Sequence, residues 1–350
     1  MLFRSLDLGP RGAQFYGHDY VASKASSDAL GVATSPLPRR AAEAYNKLLK
    51  QIPEGATLRI PAYRGGDHAP VRERRQRLLD HLKKARPDMT IHDLSADLHA
   101  LRVVKDEWEI AQMRKAIEIT FRGFHAVIPV LKEGKTETDV ESAFYATIRR
   151  LGGRAAYPMI AGSGRNAAIP HYFANDAPLE PGSLLVMDAG ASVQRYAADI
   201  TRTFPVSGRF SPEQARIYNA VLQSQLAGIA AVRPGATFRD IRTAANDVLK
   251  KHGLAKYFIH GVSHYIGLDV HDPGPRRLRP GMVLTVEPGV YLLDKKIGVR
   301  IEDMVVVTEN GCEVISAGLP KTVAGIEKWM ATNDPTRPEP QARSTESPRR

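Results

Sequence analysis

The sequence predicts an α+β fold: a duplicated helix–helix–sheet unit over residues 105–330, a mixed front piece over residues 1–104, and a disordered tail over residues 331–350. Two internal matches predict the duplication. Gly134-Lys135-Thr136-Glu137-Thr138-Asp139-Val140 recurs 101 residues later as Gly235-Ala236-Thr237-Phe238-Arg239-Asp240-Ile241. The stretch from Pro181 to Gly190 recurs 99 residues later as the stretch from Pro280 to Gly289. Matches in the same order, at nearly the same offset, mark a repeated unit rather than two similar Pro-Gly turns.

In chain order, residues 41–52 read as a helix, 57–61 as a short strand and 71–85 as a helix that stops before Pro87. No strand-rich sheet is evident in this front piece. Arg72, Arg74, Arg75, Arg77, Lys83, Lys84 and Arg86 fall at helical spacing among Leu78, Leu79 and Leu82, which is the solvated face of an amphipathic helix. From Asp106 onward the periodicity is clean. Ile110, Met113, Ile117, Phe121 and Phe124 recur at three- and four-residue steps on one helical stripe. A second helix opens at Thr136 with Asp139 three residues on, close to a capping box, and stops at Gly152-Gly153. Ser211 followed by Pro212 starts a third, which ends before Pro234. A fourth runs from Thr237 to Gly253, repeating the second. The tail holds four Pro and four Arg in twenty residues and has almost nothing to bury.

Composition excludes several function classes. A chain of 350 residues with 43% hydrophobic and 25% charged side chains is an ordinary globular protein that needs no staples. A single cysteine, Cys312, in a turn after Gly311, rules out an intramolecular disulfide framework and cysteine-cluster metal sites. No apolar run approaches the roughly 18 residues of a spanning helix. The N-terminus has no apolar leader, so a cytoplasmic location is expected. The net charge of +11 lacks any accompanying stacking pattern or recognition motif, so no nucleic acid is expected as partner. Phosphate-cradling and dinucleotide-binding glycine motifs are missing, and Gly162-Ser163-Gly164 lacks the spacing of a nucleophile elbow.

The chemistry lies in the acids. The repeat puts Asp188 and Glu287 at equivalent ends of apolar strands, each followed by a second strand with another acid, Asp199 or Glu302. A hairpin that pairs Asp188 with Asp199 turns at Val193/Gln194, and one that pairs Glu287 with Glu302 turns at Asp294/Lys295. Each hairpin then holds two carboxylates side by side on one face. Four carboxylates meeting across a pseudo-dyad repel unless cations sit among them. Residues 260–272 carry His260, His264 and His271 without the Glu of a helical zinc-protease motif, and oxygen-rich ligation plus one imidazole suits Mn, Co or Fe. Two such ions activate water near neutral pH and clamp a tetrahedral intermediate. Singly, two acids eleven positions apart are surface accidents and a lone His is a structural residue; the duplicated setting favours a two-metal site.

Asp188-Ala189-Gly190, Asp199-Ile200-Thr201-Arg202-Thr203-Phe204, residues 260–272, Val286-Glu287-Pro288-Gly289-Val290-Tyr291 and Gly298-Val299-Arg300-Ile301-Glu302-Asp303 resemble the pita-bread metallopeptidases, nearest the Xaa-Pro aminopeptidase (aminopeptidase P) branch, with prolidase as neighbour. The resemblance covers residues 105–330. It implies two divalent ions, usually manganese with cobalt, iron or zinc as alternatives, held by Asp188, Asp199, His264, Glu287 and Glu302. Asp199 and Glu302 bridge the ions; Asp188 completes one, and His264 with Glu287 the other. It further implies release of an N-terminal residue that precedes proline, by attack of a metal-bridged hydroxide. Glu287 shuttles the proton, and His171, His260 and His271 hold the carbonyl or developing oxyanion. Arg300 orients His260 or the substrate. Implied partners are peptides with proline at position 2 and further copies of the chain, as a dimer or tetramer. Prolidase activity on Xaa-Pro dipeptides and a non-catalytic scaffold are the other readings; the scaffold fits poorly because every ligand type is present. The resemblance departs at the front, where residues 15–32 look like the middle of a longer N-terminal domain, which implies that residues 1–104 are a shortened N-terminal α/β domain.

Overall fold

The computed structural model describes residues 50–60 and 69–332 of the chain. In the front piece, β1 (Thr57–Ile60) and β2 (Thr90–Asp93) pair in parallel, connected through helix α1 (Ala69–Ala85). A parallel pair needs such a crossover. Leu82 and Met89 form a small core of their own with Ile52, Ala56, Leu58 and Ile91. The expected strand and second helix are found. Most of the helix expected over 41–52, the resemblance over 15–32, and the tail from 333 on lie outside the described residues. Strand β2 was not expected, because Thr90, His92 and Asp93 leave Ile91 as its one apolar residue. Helix α2 (Ser95–Val103) then leads into the duplicated unit.

Helices α3 (Glu107–Val127) and α4 (Glu137–Arg150) form the first pair, α5 (Pro212–Ala230) and α6 (Phe238–Lys251) the second. All four open with reciprocal capping boxes, Asp106/Glu109, Thr136/Asp139, Ser211/Gln214 and Thr237/Asp240, which satisfy backbone donors that helix starts leave open. Gly123 lets the first pair close, since a Cβ there would lie 2.5 Å from Phe144; Gly228 lets α5 approach the sheet, where a Cβ would lie 3.0 Å from Val286.

The strands of the first half are β3 (Arg154–Ala155), β4 (Ile160–Ser163), β5 (Leu184–Ala189), β6 (Ala191–Val193), β7 (Tyr196–Ala197) and β8 (Ile200–Pro205). Those of the second are β9 (Val283–Val286), β10 (Gly289–Leu292), β11 (Ile297–Arg300), β12 (Asp303–Val307) and β13 (Cys312–Val314). Antiparallel sheets β4-β5-β8 and β13-β12-β9 are the main repeated layers. One apolar core runs through both halves, and α7 (Val323–Ala331) closes it by packing Trp329 on Phe204 and His125. Two expectations are corrected. Cys312 opens a strand, half-buried, rather than sitting in a turn. The first hairpin turns at Gln194-Arg195, so Asp188 faces Thr201 instead of Asp199. No helix among the described residues is long and apolar enough to cross a membrane.

Candidate metal centre

The corrected register still brings Asp188 and Asp199 together. A two-residue shift keeps every side chain on its own face, and Asp199 then lies across from Gly190, diagonal to Asp188. The chains approach so closely there that a Cβ on Gly190 would fall 1.8 Å from the Ala198 carbonyl oxygen. In the second half the register is as expected: Val286↔Asp303 and Gly289↔Arg300 bracket Glu287 and Glu302 on facing strands. The segment after His260 lies along β9, with Thr285 N donating to the His264 carbonyl at 2.9 Å and Glu287 N to that of Val262 at 2.9 Å. This pairing sets the His264 ring beside Glu287.

The halves are stitched through the site itself. Thr201 Oγ1 donates to Glu302 Oε2 at 2.7 Å, Thr203 Oγ1 to the Arg300 carbonyl at 2.9 Å, and Arg202 Nη1 to the Glu302 carbonyl at 2.6 Å. Arg202 is fully buried and neutralised by Asp303, which also accepts from Gln225, Ser316 and Lys321.

Ligand atoms of Asp199, His264 and Glu302 lie within 4.8 Å of one another. His264 Nε2 is 3.4 Å from Asp199 Oδ2 and 3.4 Å from Glu287 Oε1. Asp188 Oδ2 accepts from Arg300 Nη2 at 2.7 Å. Burial and mutual repulsion push Asp199 and Glu302 above the usual carboxylate range, and burial raises Glu287 to about 7. Burial opposes a charge on His264, but Asp199 and Glu287 overcome it and lift the imidazole to about 9. These shifts have one meaning: buried negative charge exceeds the positive charge available, and a proton on His264 partly fills the place of a cation. An oxygen-rich donor set with one imidazole fits divalent Mn, Co, Fe or Zn.

The surrounding residues refine the expectations. Arg300 does not reach His260 directly. Its Nη1 donates to Tyr291 OH at 2.8 Å, and that hydroxyl meets His260 Nε2 at 2.9 Å. His260 Nδ1 lies 2.6 Å from the Gly261 carbonyl, so the ring is fixed as the Nδ1–H tautomer. Burial, then Arg300, holds it at about 3. His171 stacks on Phe173 with centroids 6.0 Å apart, and burial lowers it to about 4. Its loop is clamped by Glu137, whose buried carboxylate accepts from Ser163 N, Asn166 Nδ2 and Ala177 N. His271 sets its ring edge-on to His264, with centroids 4.4 Å apart; packing of the ring there and the His264 charge lower it to about 4. Two participants escaped the sequence reading. Tyr157 OH lies within hydrogen-bond reach of both Asp188 Oδ1, at 2.6 Å, and Asp199 Oδ1, and no local spacing announces it. Tyr291 lies inside one of the quoted motifs, yet its contact with His260 exists only in the fold.

Residues 111–309 match the sequence pattern of metallopeptidase family M24. The chain is 40% identical over 277 residues to Xaa-Pro aminopeptidase 2 of Streptomyces coelicolor, an alignment that covers 68% of this chain and 59% of that one. It is 38% identical over 221 residues to the Xaa-Pro dipeptidase of Pyrococcus furiosus, covering 61% and 63% respectively. Its fold superposes on aminopeptidase P from E. coli with the inhibitor Pro-Leu at a TM-score of 0.70 and 32% identity, over 83% of this chain and 74% of that one. The chain thus spans less than two thirds of the length of both curated relatives.

Proposed function

Because the chain belongs to metallopeptidase family M24 and has its pita-bread fold, we propose that it is a metal-dependent aminopeptidase that releases an N-terminal residue preceding proline. The observation that carries this reading is the convergence of Asp199, His264 and Glu302, with Asp188 and Glu287 beside them, in a buried pocket short of positive charge. The relative named Xaa-Pro aminopeptidase supports the choice of proline. So does the inhibitor Pro-Leu in the E. coli relative, which begins with proline as the released peptide of such a cleavage would.

Asp188, Asp199, His264, Glu287 and Glu302 would hold two divalent cations, manganese first among them. When bound, these supply Lewis acidity, which acidifies a water molecule and polarises the scissile carbonyl. Glu287, anchored by Thr285 Oγ1 at 3.2 Å, takes the proton of the attacking water and returns it to the leaving proline nitrogen. His260, held through Tyr291 by Arg300, lies with its Nδ1 edge 3.9 Å from Glu287 Oε2. His171 and His271, both neutral at working pH, are the donors suited to the substrate carbonyl.

Incubation of the Mn²⁺-loaded protein with an Xaa-Pro-Xaa peptide is expected to release the first amino acid. Cleavage confined to Xaa-Pro dipeptides would instead give the activity named for the Pyrococcus furiosus relative. No hydrolysis, together with no bound metal, would leave a non-catalytic scaffold.

A further inference from the structure

The joint between the front piece and the duplicated unit is fastened to the loop that carries His264 and His271. Val104 bridges to Met282, and Lys105 N donates to the Gly281 carbonyl at 2.9 Å, so the joint lies as a short strand beside the entry to β9. From this strap two cations reach across. Lys105 Nζ contacts Asp272 Oδ2 at 3.1 Å, and Arg102 Nη2 contacts Asp272 Oδ1 as well as Asp269 Oδ2 at 2.7 Å. The Lys105 and Asp272 side chains are each 1% exposed. Their burial is costly, and an apolar pair would tie the chain as firmly; charge at this point fixes a register.

That register concerns the site. Asp272 N donates to the Tyr265 carbonyl at 2.9 Å, and Tyr265 and Asp272 form an antiparallel bridge. The bridge closes residues 265–272 into a loop and sets the preceding residue of each partner, His264 and His271, ring against ring. Asp272 also accepts from Asp269 N inside the loop. The loop wraps so tightly that a Cβ on Gly267 would lie 2.5 Å from Asp272 Oδ2 and 2.8 Å from Lys105 Cε.

We infer that Lys105, Arg102 and Asp272 form a positioning clamp through which the strap at 102–105 holds His271 against His264, making the end of the front piece part of the working site. The catalytic readout of this clamp rests on the proposed aminopeptidase activity. A second readout does not. In the full-length Mn²⁺-loaded protein, Lys105→Met is expected to lower kcat on an Xaa-Pro-Xaa peptide about 10–100-fold while KM stays within about threefold. Amide exchange over 261–272 should quicken by about tenfold or more, with 184–205 unchanged. Arg102→Met, at the more open partner, should act in the same direction on both measures. Variants that melt earlier yet keep kcat per folded molecule and wild-type exchange over 261–272 would overturn the clamp. An inactive wild-type protein would overturn the proposed activity instead, and the exchange measurement alone would then decide the clamp.

Discussion

Tyr157 has a single hydroxyl hydrogen and two carboxylates, Asp188 and Asp199, within reach of it. Without cations, one of those contacts needs a proton from a carboxyl group, in keeping with the raised pKa of Asp199. Crowding of this kind makes single ligands decisive. His264→Ala and Glu287→Ala are each expected to lower turnover roughly 10³-fold or more. Their circular dichroism spectra should match the wild type, because both side chains line the pocket rather than the apolar core; undiminished turnover in either would refute the site. The four acids of the candidate site were legible in the sequence because acids that end apolar strands are conspicuous and the repeat shows them twice. Tyr157 was not legible. It lies 31 residues before Asp188 and 42 before Asp199, and only the fold brings it to them.

At the scale of elements, the helices were read well because caps and stripes are local signals, and the caps expected at Thr136 and Ser211 form. Strand β2 and the first hairpin were read less well. Midpoint arithmetic placed the turn at Val193/Gln194, but the backbone puts both Gln194 and Arg195 in the left-handed region, at φ 49° and 73°, between the paired residues Val193 and Tyr196. A two-residue hairpin turn with both φ positive favours Asn-Gly, and nothing in Gln-Arg advertises it. Arg195 is exposed. Arg195→Gly is therefore expected to stabilise the protein by roughly 0.5–1 kcal/mol, the relief of left-handed strain less the added freedom of glycine when unfolded. The midpoint of urea unfolding measures it, and a lower midpoint would contradict the turn geometry.

For the molecule as a whole, the charges of the site set how stability follows pH. Without metal, the folded chain holds His264 at about 9 and Glu287 at about 7, above their unfolded values of about 6.5 and 4.3. It then binds more protons than the unfolded chain, so stability rises as pH falls from about 9 toward 6.5. Below that window the shifts oppose one another: His171, His260 and His271, held at about 4, 3 and 4, stay neutral where the unfolded imidazoles take up protons, while the raised carboxyls of Glu287, Asp199 and Glu302 go on gaining stability. Chelator-treated protein should thus melt higher near pH 7 than near pH 9, roughly as this linkage requires. His264→Gln should flatten the difference, and a slope of opposite sign would refute the charge balance. The stitching of the halves carries one more consequence. Thr201 and its partner Glu302 are 101 positions apart, and chains are synthesised from the N-terminus. A growing chain therefore displays Asp188 and Asp199 long before Glu287 and Glu302 have been added. On the proposed ligand set, cation capture is one of the last events of biosynthesis, and a chain released before residue 302 carries only part of that set.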